Sequence, residues 1–274
     1  MSWKQIFISL FITLFSFSCS KDEFKIETVE SLEITSEHTK QSYLIKVLLP
    51  DNYSPSNQYP VVFLLDGYFW FNDTRHDAEE LMSENQISDI ILVSIEYKDL
   101  PFSISNSTQI SNLRTIDLTY PTNDNEGGGG LEFYTFIKTE LIPEIENKYA
   151  CDENNRAIFG HSLGGYFVLF QMLNYENEPI FKSVVAISPS IWWADLNILK
   201  LEEAVFNSGK DLPFNLYTSV GNMEGVVMNS TFDEFQSRIE SRNYSNLNYK
   251  FEKSKSGHTE SARIGFRNAL EHLY

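Results

Sequence analysis

The chain has 274 residues, 42% hydrophobic and 14% aromatic, and its 38 acidic and 21 basic side chains give a formal net charge of −17. That length suits one domain with a substantial core, and the acidity excludes nucleic acid as a natural partner and gives no general attraction for anionic ligands. Cysteine occurs only at Cys19 and Cys151, without C-x-x-C or H-E-x-x-H spacing, which excludes a disulfide framework and the common zinc motifs, so neither metal nor cofactor is expected.

Lys4 precedes a Phe/Ile/Leu-rich run, Ile6 to Phe17, too short to span a bilayer comfortably, and residues 1–18 read as an export signal. Ser18 before Cys19 resembles a bacterial lipoprotein box, although Phe17 is atypical of one, and Ser20-Lys21-Asp22-Glu23 resembles an acidic surface-export signal. On that reading Cys19 carries acyl chains, residues 19–37 form a tether, and residues 38–274 form the domain. The protein would then be an exported lipoprotein, periplasmic or on the surface of a Gram-negative bacterium. An ordinary cleaved signal with a chance cysteine is the alternative.

Strand-like runs follow at 27–34, 43–49, 61–65, 90–97, 156–160, 184–188, 214–220 and 247–254, and helix-like runs at 75–85, 131–149, 163–174, 230–241 and 260–273. This alternation predicts an α/β class with a mostly parallel, doubly wound sheet flanked by helices. The Gly127–Gly130 run lacks the following Lys-Ser/Thr of a phosphate loop and reads as a plain turn into a helix.

The most informative motif is Gly160-His161-Ser162-Leu163-Gly164-Gly165, a G-x-S-x-G that follows the apolar Ala157-Ile158-Phe159 and precedes a helical stretch. Strand, sharp turn and helix are the setting of a nucleophile elbow, with Ser162 as nucleophile. A serine needs a base. Of five histidines, His38 and His76 precede the elbow and read as surface, His161 as packing on the sheet, and His272 as solvated. His258, in a loop before the last helix, is the expected base. Glu224, beyond the run Phe214–Val220, is the expected acid, ahead of Asp233, Glu234 and Asp195. The N–H groups of Leu163 and Tyr68 are the expected oxyanion donors, Tyr68 lying in the turn after Pro60–Leu65. Tyr68-Phe69-Trp70-Phe71 and Trp192-Trp193 both follow strand ends, where an aromatic-walled cleft for a flat acyl or catecholate group would form.

Segments Leu64–Gly67, Arg114–Thr119, Glu140–Glu146, the elbow, Ile187–Trp193, Glu224 and Gly257-His258 together resemble an esterase family of the α/β-hydrolases. The family holds trilactone siderophore esterases, feruloyl and acetyl-xylan esterases, and S-formylglutathione hydrolases, and the resemblance runs from about Tyr43 to Tyr274. It implies the α/β-hydrolase fold with antiparallel lead strands, a Ser162–His258–Glu224 triad, and Arg114, Trp192 and Trp193 bordering the substrate. The segment Thr122–Glu126 is shorter than the family's substrate loop, and Gly225–Met228 is more apolar. The expected function is hydrolysis of a small-molecule ester through an acyl-enzyme, foremost an enterobactin-like siderophore. A feruloyl or acetyl polysaccharide esterase is the alternative within the class, and a non-catalytic surface binding lipoprotein the alternative outside it.

Overall fold

The computed structural model describes residues 29–100, 103, 105–121, 128–176 and 178–274. The export signal and Cys19 lie outside the described residues, as does the segment 122–127. Among the described residues, eight strands form one sheet in the order β1-β2-β4-β3-β5-β6-β7-β8. They are β1 (Val29–Thr35), β2 (Ser42–Leu48), β3 (Tyr59–Leu64), β4 (Ile91–Tyr97), β5 (Cys151–His161), β6 (Ser183–Ile187), β7 (Asn215–Gly221) and β8 (Asn248–Ser254). The β1–β2 and β2–β4 pairs are antiparallel, and every pair from β4 through β3 to β8 is parallel. All eight predicted strands are present. β1 pairs with β2, so the folded unit begins by Val29, inside the stretch expected to be a tether.

The helices are α1 (Gly67–Ser83), α2 (Ser107–Asp117), α3 (Gly130–Phe136), α4 (Ile142–Lys148), α5 (Leu163–Leu173), α6 (Trp193–Ser208), α7 (Val226–Arg242) and α8 (His258–Leu273). A π-helical turn, Ile137–Leu141, joins α3 to α4. Central strands are buried on both faces, as a parallel sheet between helices requires, which is why they read as continuous apolar runs. On one face α1 and α8 cover Val62, Leu64, Phe159 and Tyr217 with Trp70, Phe71, Leu81, Phe266 and Leu270. On the other, the α3–α4 segment and α5 to α7 bury Phe133, Phe136, Phe167, Leu169, Ile198 and Phe235 against Phe63, Ile158 and Val184. The carboxyl ends of β3, β5, β6, β7 and β8 thus open on one edge between the two layers, where loops can meet.

Candidate active site

Ser162 joins β5 to α5 with φ 59° and ψ −115°, a conformation costly for a residue with a Cβ and one that nucleophile elbows adopt. The close approach around it demands glycine. A Cβ on Gly160 would lie 2.2 Å from the Gly164 carbonyl oxygen, and one on Gly165 would lie 2.9 Å from Pro189 Cα. Ser162 N–H donates to Ile187 O at 3.0 Å, and Ser190 N–H donates to Ser162 O at 3.0 Å, fixing the turn to the end of β6. The Ser162 hydroxyl lies 3.4 Å from Ser190 Oγ.

The structure brings His258 and Glu224 together. His258 Nδ1 is 2.5 Å from Glu224 Oε2. His258 is the first residue of α8, not a loop residue, and is partly exposed, whereas the Glu224 side chain is fully buried. Glu224 Oε1 accepts from Gly221 N–H and Ser188 Oγ, each at 2.5 Å. Burial by itself would raise this carboxyl, but hydrogen bonds from His258, Ser188 and Gly221 outweigh it and hold the group below the usual range, as an anion at neutral pH. The competing acids face elsewhere: Asp233 pairs with Lys253, Asp195 with Lys200, and Glu234 with Arg238.

Three residues complete a hydrogen-bonded circuit that the sequence did not disclose. Ser188 Oγ is 2.6 Å from Ser261 Oγ, and Ser261 Oγ donates to His258 O at 2.7 Å. His161 Nε2 is 2.9 Å from the same carbonyl, which can only accept, so His161 carries its proton on Nε2. His161 is buried, and its burial together with the nearby His258 pushes it down to about 3, which keeps it neutral. Its ring lies 4.4 Å from that of His258 and meets Trp70 edge-on. His161 thus packs on the sheet, as expected, and also holds the backbone of His258.

A cleft of about 500 Å³ opens here, walled by Tyr68, Phe69, Trp70, Asp73, Arg114, His161, Ser162, His258 and Thr259. Leu163 N–H is the first amide of α5, where no intrahelical acceptor exists. Tyr68 is the second residue of α1, so Tyr68 to Phe71 form the first turn of a helix and not the loop expected. Of the two aromatic clusters, the first therefore lines the cleft. Trp192, 43% exposed, and Trp193, packed against the core, stand at the start of α6 and are not among its walls. Arg114, expected to offer its charge to substrate, gives two donors to Asp66: Nε to Oδ1 at 2.7 Å and Nη2 to Oδ2 at 2.8 Å. No group of His, Cys, Asp and Glu side chains suited to a metal ion occurs among the described residues.

This arrangement can perform acyl transfer: a hydroxyl on a strained turn, an imidazole oriented by a buried carboxylate, and helix amides beside both. Residues 36–270 match the model of a family described as "Putative esterase". The chain is 30% identical over 223 residues to the ferri-bacillibactin esterase BesA of Bacillus subtilis, covering 75% of this chain and 74% of that one. It is 28% identical over 154 residues to an apo-salmochelin esterase of Escherichia coli, covering 54% of this chain and 47% of that one. Among solved structures, the BES protein of Bacillus cereus superposes with a TM-score of 0.79 at 24% identity over 98% of both chains. The siderophore hydrolase EstB of Aspergillus nidulans superposes with a TM-score of 0.77 at 19% identity, over 90% of this chain and 96% of that one. The α/β-hydrolase fold, the strained serine turn and the family match over most of the chain agree, and the chain belongs to this esterase family as an enzyme that hydrolyses esters.

Proposed function

We propose that this esterase cleaves a siderophore ester through an acyl-enzyme on Ser162, with His258 as base and Glu224 as acid. The observation that carries the reading is that His258, paired from behind with the buried Glu224, lines the same cleft as the strained Ser162. Rotation of the Ser162 hydroxyl away from Ser190 lets His258 Nε2 take its proton as the oxygen attacks the ester carbonyl. The amides of Leu163 and Tyr68 receive the oxyanion. His258 then protonates the leaving alcohol and activates water to free the acyl group. The Glu224 carboxylate keeps the proton on His258 Nδ1 and stabilises the imidazolium.

The named relatives differ in iron state, one ferric and one iron-free. The cleft favours a neutral, iron-free ester here, because Arg114 is already bound in a bidentate pair and the chain carries −17. The aromatic wall of Tyr68, Phe69 and Trp70 suits a flat aryl or catechol group. The export signal over 1–18 and acylation of Cys19 belong to the same proposal. Mass spectrometry of the membrane fraction tests them: an unmodified Cys19 would remove the anchor.

The test of function is hydrolysis of p-nitrophenyl acetate, a feruloyl ester, and iron-free and ferric enterobactin. Ser162→Ala should lower turnover at least ~10³-fold, as loss of a triad nucleophile does. Near-normal turnover in that variant would refute the mechanism, and preference for the feruloyl ester would refute the substrate.

A further inference from the structure

Arg114 stands in a substrate cleft yet has little to offer a substrate. Its guanidinium clamps both oxygens of Asp66, and both side chains are largely buried, 15% and 3% exposed. Asp66 itself is unusual. It sits in the left-handed region at φ 57° and ψ 38°, just before Gly67 and Tyr68, and its carbonyl accepts from Phe69 and Trp70 N–H. Its carboxylate also receives Tyr68 Oη–H at Oδ1, 3.3 Å away. Asp66 Oδ2 lies 3.4 Å from the place a Cβ on Gly164 would occupy, so this carboxylate rests against the first turn of α5.

An unpaired carboxylate there would oppose the chemistry. It would compete for the positive end of α5 with the negative charge that develops on the substrate oxygen, and repel that charge at short range. Resting on the triad proposed above, we infer that Arg114 is a positioning residue that acts through Asp66. It neutralises the carboxylate beside the oxyanion site and locks the left-handed turn that aims the Tyr68 amide. α2 is built to hold Arg114 still: one turn further on, Asp117 is buried and accepts from Tyr43 Oη at 2.8 Å. The helix is thus tied to the domain by polar contacts at consecutive turns.

Steady-state kinetics on p-nitrophenyl acetate, which presents no anion to a guanidinium, separate this role from substrate binding. Arg114→Gln should lower kcat roughly 10- to 100-fold, in the range of a damaged oxyanion site, with KM changed by less than about threefold. Adding Asp66→Asn removes the stranded charge while keeping a residue that tolerates the left-handed region, and should recover most of the loss. Retained kcat with raised KM in Arg114→Gln, or a double variant no better than the single one, overturns the inference. If Arg114→Gln does not fold, Arg114→Lys, which keeps the charge but not the two-pronged grip, should lose kcat and not KM; a KM effect alone overturns the inference equally. Ser162→Ala in the same assay reads the esterase mechanism separately, so activity that depends on Ser162 but not on Arg114 refutes only the positioning role.

Discussion

Glu224→Gln is an isosteric change whose effect the structure decides. Oε1 faces the Gly221 N–H, a backbone donor that cannot turn away, and the Ser188 hydroxyl, while Oε2 faces His258 Nδ1. The amide of a glutamine must keep its oxygen on Gly221, since the reverse places two donors 2.5 Å apart. Its NH₂ then points at His258 Nδ1, which has to accept, and the imidazole proton moves to Nε2. That tautomer cannot take the Ser162 proton. The equivalent substitution in a serine protease triad costs about 10⁴ in kcat, or about 5 kcal/mol of transition-state stabilisation, and the same is expected here. The assay is kcat for p-nitrophenyl acetate near pH 7.5, with a melting curve as control for folding. A loss below tenfold would refute the tautomer argument and leave Ser162 and His258 acting as a pair.

Gly160→Ala drives a methyl group into the Gly164 carbonyl, 2.2 Å away in a backbone that cannot yield. It should cost about 3 kcal/mol or more and lower the melting temperature by roughly 6–12 °C; an unchanged melting curve would contradict the packing described. Two buried groups tilt stability in opposite directions with pH. His161 sits at about 3 in the fold against 6.5 ordinarily, so the unfolded chain binds a proton first and stability is lost as pH falls below about 6.5. Asp117, raised by burial to about 7 against 3.8, holds its proton longer when folded, so it takes stability away as pH rises from about 4 to 7. In urea unfolding at pH 4.5, 6 and 7.5, relative to wild type, His161→Gln should gain toward acid and Asp117→Asn toward neutrality; the reverse trends would refute both assignments. Phe69→Ala should raise KM for aryl esters about fivefold, the worth of about 1 kcal/mol of aromatic burial, with acetyl esters less affected. Equal effects on both would sink the aromatic wall, and Trp192→Ala, outside the cleft, should do less.

The sheet was legible because its strands are apolar runs of the right length between turn residues, and the strained turn at Ser162 because the elbow is a local signal; the contact between His258 and Glu224 joins residues far apart in the chain and rested on their order in it. α2 carries no apolar stripe in the sequence, since only Ile110 and Asp117 are buried along it, and its anchors are ion pairs and hydrogen bonds to residues far away in sequence. α6 lies outside the predicted helical runs although Ile198, Leu199, Glu202 and Val205 bury one of its faces; its start is irregular, with Ala194, Asp195 and Leu196 at left-handed angles. The aromatic run Tyr68 to Phe71 follows a strand end and reads as loop, but Asp66 turns the chain into a helix there. β5 extends back to Cys151 through polar, partly exposed residues that carry no strand pattern. Ser188, Ser261 and the carbonyl of His258 are unremarkable in sequence, because a hydrogen-bonded circuit is written in three dimensions.

His258 sits on the first turn of α8, so its place in the cleft is only as secure as the seating of that helix. Ala262, Phe266, Ala269 and Leu270 seat α8 against β5, β6 and α1. The turn at Ser162 is held by β5, β6 and α5 instead. Fraying of α8 would therefore leave the strained serine in place with no imidazole beside it.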